Sequence, residues 1–290
     1  MQNITDIEIE HLSDDMQEII SVLREAGNIA SNISKSSLKS WYKQDNSPVT
    51  EADYAVNQLC KEKLTKLRPD YLWISEEEPE LHEAARIKIE QASDKNPCYS
   101  WCLDPIDGTR GFMENNDHWV ISIAVLYNDE PILGVIYNPE RDQVFSAIKG
   151  KGAFVNSERL EIGSKNPSQN LKVYARKKIR HFEFLSPFLR DYKISYLSSL
   201  AMRICMVASG KAEGCFLTTA CSLWDIAAAK VILEEAGGQS YMLNLTPLKI
   251  CNENFKISHM ILGTDEFLSH YQQYLLDNDI KDTNFKKENL

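Results

Sequence analysis

The sequence predicts a protein of mixed α and β structure, with an α+β first half and an α/β second half. In the first half, two helical segments precede strands joined by connections so short that neighbouring strands must be antiparallel. After about residue 160, strand-like and helix-like segments alternate, as they do in α/β proteins. We therefore predict an N-terminal half at 1–158, a C-terminal half at 159–276 and a polar tail at 277–290.

Apolar residues at helical spacing predict the helices, and short apolar runs bounded by turn residues predict the strands. Residues 80–98 are highly charged and are expected to form a helix and a loop. The other predicted helices span 9–33, 50–67, 198–209, 222–236 and 265–276. The predicted strands span 71–74, 99–103, 119–127, 132–137, 144–148, 171–175, 193–196, 212–217 and 259–262.

The composition is that of an ordinary globular enzyme and argues against several other classes of protein. The formal net charge is −10, so we expect no stable nucleic-acid partner, although one short basic tract begins at Arg176. No apolar run approaches the ~18 residues of a membrane span, and the polar N-terminus does not resemble a signal peptide. Seven scattered cysteines without a C-x-x-C pair suit free thiols in the cytoplasm. Six isolated histidines argue against a zinc site.

The most informative segment is DPIDGT at 104–109, directly after a predicted strand. Asp104 and Asp107 offer the hard oxygen ligands that Mg²⁺ prefers. Because Pro105 lacks a backbone N–H, we expect the chain to turn out of the strand there and to bring the two carboxylates together. Carboxylates this close repel each other unless a cation lies between them. The alternative is an ordinary turn, since Asp, Pro and Gly are common turn residues.

The residues after Asp107 suit a phosphate group. Gly108 and Thr109 form a turn that can open a helix, where backbone N–H groups have no partner within the helix. A phosphate bound there would lie beside the two carboxylates. The segment therefore predicts a metal-dependent phosphatase.

Four further carboxylates are candidates for the same site. Glu76 and Glu77 follow the strand predicted at 71–74, and ligands in open α/β sheets usually lie at such strand ends. A solvated loop is the alternative for these glutamates. Asp53 and Asp225 each stand three residues after a threonine or serine, so capping of a helix explains them equally well.

Seven short motifs follow one another along the chain: PVTEAD at 48–53, SEE at 75–77, DPIDGT at 104–109 with Phe112, GVIY at 134–137, GKGAF at 150–154, WDIAA at 224–228 and EAGG at 235–238. This set resembles the inositol monophosphatase superfamily of Mg²⁺-dependent, Li⁺-inhibited phosphatases. The motifs occur in the family's order from about residue 10 to about residue 265, which is nearly the whole chain.

The resemblance implies a layered αβαβα fold of the inositol monophosphatase and sugar phosphatase type, with metal ions at the junction of the two halves. The implied ligands of a first Mg²⁺ are Glu76, Asp104 and the Ile106 carbonyl. The implied ligands of a second Mg²⁺ are Asp104, Asp107 and Asp225. A third, weaker ion near Glu76 is also implied.

The resemblance also assigns roles around these ions. Asp53 and Thr109 would orient the attacking water and help to deprotonate it, and Glu77 would support the network of waters. The backbone N–H groups of Gly108 and Thr109 would bind the phosphate. A homodimer is a further expectation from the family, for which the sequence gives no independent sign.

The substrate is the open question. SSLAMR at 198–203 resembles the S-S-L-K segment of the CysQ-type 3'(2'),5'-bisphosphate nucleotidases, with two extra residues. The resemblance implies substrate contacts by Ser199 and by Arg203, which would hold a second phosphate. The alternative for Arg203 is an exposed helix face that touches nothing. The segment 217–222 carries no charge, whereas family members usually place a charged substrate contact there.

The expected reaction is hydrolysis of 3'(2')-phosphoadenosine 5'-phosphate to AMP and phosphate. Within the enzyme class, the alternative substrates are inositol-1-phosphate, histidinol phosphate and related polyol or sugar phosphates. From another class, the alternative is a regulatory or RNA-associated binding protein on the same fold.

Overall fold

The computed structural model describes residues 6–35, 38–93, 96–162, 171–248, 250, 255–257 and 259–280. Within these residues, no helix has both the length and the apolarity needed to cross a membrane. Residues 281–290 of the predicted tail lie outside the described residues. The helices are α1 (Asp6–Ser34), α2 (Glu51–Leu67), α3 (His82–Glu90), α4 (Thr109–Met113), α5 (Leu200–Ala208), α6 (Leu223–Glu235) and α7 (Asp265–Asp277).

The strands lie between these helices along the chain, and most of them are short. They are β1 (Ser40–Tyr42), β2 (Pro48–Thr50), β3 (Leu72–Ser75), β4 (Tyr99–Asp107), β5 (Val120–Tyr127), β6 (Glu130–Asn138), β7 (Gln143–Ile148), β8 (Gly152–Val155), β9 (Glu158–Leu160), β10 (Lys172–Tyr174), β11 (Lys193–Ser195), β12 (Gly214–Leu217), β13 (Cys221–Ser222), β14 (Gln239–Met242), β15 (Lys256–Ile257) and β16 (Met260–Gly263).

The pattern of apolar residues predicted these elements closely. Every predicted helix and strand is present, and the bounds of the long helices differ from the prediction by about three residues at most. The strands that the prediction missed, such as β1, β8 and β14, have four residues or fewer. Strands this short contain too few positions for an alternation to be visible.

The strand before the turn at Gly108 is longer than predicted. β4 continues to Asp107, which pairs with Val120 on β5, and its register shifts between Asp104 and Asp107. The expectation that the chain turns out of the strand at Pro105 was therefore wrong. An irregularity of this kind accommodates a residue that cannot donate a ladder hydrogen bond, so Pro105 disturbs the pairing without ending the strand.

Two main sheets alternate with three layers of helices, and two further strand pairs, β1 with β2 and β13 with β15, lie outside them. The larger sheet has the order β3-β4-β5-β6-β7-β8-β9, and the smaller sheet has the order β11-β10-β12-β16-β14. In the larger sheet, β3 is parallel to β4 and the meander from β4 onward is antiparallel. Helices α1 and α2 cover its outer face, α5 and α6 lie between the sheets, and α7 covers the smaller sheet. This order confirms the expected αβαβα fold.

Helix α6 packs directly on the larger sheet, although it belongs to the second half of the chain. It contacts β4, β5, β6 and β7. A Cβ atom at Gly134 on β6 would lie 2.5 Å from the carbonyl oxygen of Ala228 on α6, so a larger residue would push the two apart. This close approach brings the first turn of α6, with Asp225, to the end of β4, with Asp104.

Candidate active site

A cavity of about 280 Å³ is lined by residues from both halves of the chain. Of the eleven residues that the sequence assigned to the site, three do not line this cavity: Asp53, Glu77 and Ser199 are each hydrogen-bonded to a neighbouring group. The other eight do line it: Glu76, Asp104, Ile106, Asp107, Gly108, Thr109, Arg203 and Asp225.

Asp104 and Asp225 lie together in the buried part of this cavity. Asp225 accepts a hydrogen bond from the backbone N–H of Ser222 at 2.6 Å, so it caps α6 as its position suggested. It also lies within hydrogen-bonding distance of Asp104. Burial, followed by the charges of Asp107 and Glu76, raises the pKa of Asp225 to about 7. Burial, followed by the negative charges of Glu76, Asp107 and Asp225, raises the pKa of Asp104 well above its usual range.

Asp107 is oriented by the N-terminus of α5. Its carboxylate accepts hydrogen bonds from the hydroxyl of Ser199 at 2.6 Å, from the N–H of Leu200 at 3.1 Å and from the N–H of Ala201 at 2.6 Å. Burial raises the pKa of Asp107, and these three bonds oppose that rise. Ser199 therefore contacts Asp107 and does not itself line the cavity. No sequence pattern indicated this contact, because the two residues are far apart in the chain.

Lys43 is a charged residue of the site that the sequence analysis missed. Its ammonium group donates to Glu76 at 2.8 Å and to Glu77 at 2.7 Å. Although burial lowers the pKa of Lys43, the two glutamates raise it overall. Lysine in a polar segment is ordinarily solvated, so only the pairing of β1 with β2 reveals that Lys43 reaches the glutamates.

The predicted phosphate-binding turn precedes α4. Gly108 adopts a φ of +96°, a conformation that favours glycine, and the hydroxyl of Thr109 donates to the Ile106 carbonyl at 3.1 Å.

Asp53 caps α2, where its carboxylate accepts from the N–H of Thr50 at 2.8 Å and from the Thr50 hydroxyl at 2.6 Å. Burial raises the pKa of Asp53 to about 7, although these two hydrogen bonds act to lower it.

Basic side chains line the same cavity. Arg203 is only 3% exposed, so the alternative that it lies on an exposed helix face is wrong. Its guanidinium donates to the carbonyls of Leu197 at 2.7 Å and Ser198 at 3.2 Å. Partial burial and the positive charge of Arg203 lower the pKa of Arg176. The sequence analysis gave no role to Arg176 or Lys256, which both line the cavity, because they lie in unrelated segments.

The acidic residues suit Mg²⁺ bound partly through water. In the stretches of chain that the structure describes, no three Asp, Glu, His or Cys side chains converge closely enough to hold one ion by themselves. Mg²⁺ is commonly bound by one or two carboxylates and keeps several of its waters. Asp104 and Asp225 lie in contact, and two carboxylates this close need a proton or a cation between them. This close pair therefore fits Mg²⁺.

We expect the stability of the metal-free protein to fall as the pH rises from about 5 to about 8. A carboxyl whose pKa is raised by folding, such as Asp225 with a pKa of about 7, binds more protons in the folded state than in the unfolded state. The stabilisation that results from this extra proton is complete at low pH and is lost as the pH rises through about 7. For one such group, the free energy of unfolding falls by roughly 2–3 kcal/mol between about pH 5 and about pH 8. Urea unfolding in EDTA at both pH values measures the change.

Saturating MgCl₂ should remove most of this pH dependence, because the cation takes the place of the proton between the carboxylates. The variant Asp225→Asn is the control and should reduce the slope in EDTA. A metal-free protein that becomes more stable between about pH 5 and about pH 8 would contradict the prediction.

Comparison with known proteins agrees with this geometry. Residues 10–274 match the model of the inositol monophosphatase family. Nus factor SuhB of Haemophilus influenzae is 32% identical over 234 residues, which cover 76% of this chain and 81% of that protein. The 3'(2'),5'-bisphosphate nucleotidase CysQ of Aggregatibacter actinomycetemcomitans is 26% identical over 272 residues, which cover 87% of this chain and 94% of that protein.

Solved structures share the fold. A crystal structure of an IMPase/NADP phosphatase complexed with Mg²⁺ and phosphate matches with a TM-score of 0.75 at 18% identity, covering 91% of this chain and 95% of that one. The family match includes β3, β4 and the start of α6, which carry the carboxylates of the cavity. The family that the motifs predicted is thereby confirmed, and the chain belongs to the inositol monophosphatase family.

Proposed function

We propose that this chain is a Mg²⁺-dependent phosphomonoesterase that hydrolyses 3'(2')-phosphoadenosine 5'-phosphate to AMP and phosphate. The buried guanidinium of Arg203, which lines the same cavity as the carboxylates, carries this choice of substrate. A single phosphate is accommodated by metal ions and by the turn at Gly108 and Thr109. A buried cation in the same cavity suits a substrate with a second anionic group.

The basic side chains near Arg203 support the same choice. Among the described residues, no carboxylate forms an ion pair with Arg203 or Arg176. Partial burial has the largest effect on the pKa of Arg176 and lowers it. The positive charges of Arg203 and Arg110 lower this pKa further. The charges of Asp107 and Asp225 act on Arg203 and Arg176 without direct contact. Guanidinium groups placed together with no carboxylate in direct contact favour an anion between them, and they bind a phosphate bidentately.

The carboxylates would hold Mg²⁺ in the sets that the family resemblance implies. Glu76, Asp104 and the Ile106 carbonyl would hold one ion. Asp104, Asp107 and Asp225 would hold another together with bound water, since these three side chains do not converge closely enough to hold it by themselves. A third ion would lie near Glu76. When bound, Mg²⁺ lowers the pKa of a coordinated water and neutralises charge on the phosphate.

The remaining residues of the site act on water and phosphate. The N–H groups of Gly108 and Thr109 would donate to the phosphate oxygens. Asp53, whose pKa is about 7 and which does not line the cavity, would act together with Thr109 to orient the attacking water and help to deprotonate it. Glu77, which accepts a hydrogen bond from Lys43, would hold the neighbouring waters in place.

Phosphate release with Mg²⁺ tests the proposal. The two substrates are 3'-phosphoadenosine 5'-phosphate and inositol-1-phosphate, each with and without Li⁺. We expect kcat/KM for the bisphosphate to be higher by about tenfold or more, which is about 1.4 kcal/mol of discrimination, and we expect Li⁺ to inhibit. A preference for inositol-1-phosphate would overturn the proposed substrate but would leave the proposal of a phosphatase intact.

Arg203→Ala should lower the ratio of kcat/KM for the bisphosphate over inositol-1-phosphate by about 10- to 100-fold. The reason is that hydrogen bonds between charged groups contribute roughly 1.5–3 kcal/mol each. Arg203→Lys keeps the charge but loses the bidentate geometry, so its ratio should lie between those of Arg203→Ala and the wild type. Equal losses on both substrates would assign Arg203 to the fold alone, through its bonds to Leu197 and Ser198.

Inositol-1-phosphate hydrolysis is the second candidate function. The match of residues 10–274 to the inositol monophosphatase family favours it directly. The arrangement of the carboxylates serves both reactions, so only the contacts beyond the phosphate distinguish them. The substrate comparison above decides between the two.

A further inference from the structure

We propose that Tyr196 stacks on the nucleobase of the substrate and thereby selects nucleotides over polyol phosphates. The inference rests on the proposed function, because it assigns the base-contacting residue of the same site. Tyr196 lies in the connection between β11 and α5 and lines the cavity. It is 41% exposed, so a large part of the side chain is open to solvent.

The ring of Tyr196 is held in place from one side. The guanidinium carbon of Arg203 lies 4.9 Å from the ring centroid. Arg203 is itself fixed by the carbonyls of Leu197 and Ser198. One face of the ring therefore lies against a fixed cation, while the side chain as a whole stays partly exposed. A ring oriented in advance loses little conformational freedom when a ligand stacks on it.

The neighbours of Tyr196 match the shape of a nucleotide. Arg203 contacts the ring, and Arg176 is electrostatically coupled to both Arg203 and Tyr196. A ligand whose aromatic ring and anionic group are joined through one ribose can therefore contact the tyrosine and the two guanidinium groups together. Stacking on an aromatic side chain tolerates any flat base. A polyol ring has no π-face and gains nothing comparable from this surface.

Other exposed aromatic side chains do not offer this surface. In the described part of the chain, Trp41, Tyr42 and Tyr54 are also exposed, and Trp41 stacks on Tyr54 with ring centroids 5.7 Å apart. None of these three lines the cavity. Tyr196 is therefore the exposed aromatic residue that a bound substrate would meet.

The test uses two variants and two substrates. Tyr196→Leu removes the ring and keeps much of its bulk, whereas Tyr196→Phe keeps the ring. The substrates are 3'-phosphoadenosine 5'-phosphate and ribose 3,5-bisphosphate, which carries the same phosphates without a base. In Tyr196→Leu we expect the ratio of kcat/KM for the nucleotide over the abasic compound to fall about tenfold or more, chiefly through KM. In Tyr196→Phe the ratio should stay within about threefold of the wild type.

Two results would overturn the inference, and they differ in what they say about the proposed function. If wild-type protein prefers the nucleotide and Tyr196→Leu keeps that preference, or loses both activities equally, Tyr196 does not contact the base and the proposed function stands. If wild-type protein hydrolyses inositol-1-phosphate and neither bisphosphate, the proposed function fails and the inference fails with it.

Discussion

Asp104→Asn should abolish phosphate release, lowering kcat/KM by on the order of 10³-fold or more, because metal-based charge stabilisation contributes several kcal/mol. Asp104 is buried and lies within hydrogen-bonding distance of Asp225, whose pKa is raised by burial and also by the charges of Asp107 and Glu76. Asparagine has nearly the same shape and keeps one oxygen, but it has no charge for a divalent ion. Phosphate release with Mg²⁺ measures the loss.

The same variant should be more stable than the wild type when metal is absent. Burial and neighbouring charges raise the pKa of Asp104, so its charged form is disfavoured in the folded state, and a neutral amide avoids that cost. An increased midpoint of unfolding in EDTA would show that the lost activity does not come from misfolding. Asp70→Asn changes an exposed carboxylate and should leave activity and stability near those of the wild type.

Two results would contradict this assignment. Activity above about a tenth of the wild-type kcat/KM would show that Asp104 is not an essential ligand. A protein that acts only by binding a partner would have no hydrolysis to lose, and Asp104→Asn would leave its binding intact. The variant therefore separates the phosphatase from the alternative of a regulatory or RNA-associated binding protein on the same fold.

Gly108→Ala should lower the free energy of unfolding by about 3 kcal/mol or more and should strongly reduce activity. The positive φ of +96° costs an alanine about 1–2 kcal/mol. In addition, its Cβ would lie 2.5 Å from the carbonyl oxygen of His118 and 2.9 Å from the backbone nitrogen of Ser199. Backbone atoms cannot rotate away, so the turn must separate from α5, which costs roughly a further 1–3 kcal/mol.

The loss of activity should follow from the same displacement. Ser199 donates to Asp107, so a shift of α5 away from Gly108 disturbs a predicted metal ligand and the phosphate-binding turn together. Gly237→Ala is a matched control, because Gly237 has a φ of +94° and nothing lies within 4 Å of its added Cβ. It should cost only the backbone strain of about 1–2 kcal/mol and should keep phosphatase activity. Equal effects of the two substitutions on urea unfolding would refute the role of the close contact.

The carboxylates of the site were predictable from the sequence because each lies in a short segment with its own local signal. Asp104 and Asp107 follow an apolar strand, and Asp225 stands at a capping position of α6. Capping and a place in the cavity are compatible, since the carboxylate of Asp225 accepts the Ser222 N–H and also contacts Asp104. A local explanation for a residue therefore did not exclude a role in the site.

The residues that the sequence analysis missed act over long separations. Lys43 reaches Glu76 and Glu77 only because β1 and β2 form a hairpin beside the end of β3. Arg176 follows β10, and its coupling to Arg203 arises because β10 and β11 are neighbours in the smaller sheet. Neither residue belongs to a periodic pattern or to a motif, so no local signal could have found it.

The sequence by itself determined the helices, the longer strands, the order of the motifs and the family to which the chain belongs. These properties depend on residues that are near one another in the chain, through apolar periodicity, capping and turn chemistry. Only the tertiary structure decided that β4 continues past Pro105, that Ser199 contacts Asp107, and that Arg203 is buried beneath Tyr196. These contacts depend on how two sheets and three helical layers pack together, and packing joins residues whose separation in the sequence carries no information about their distance in space.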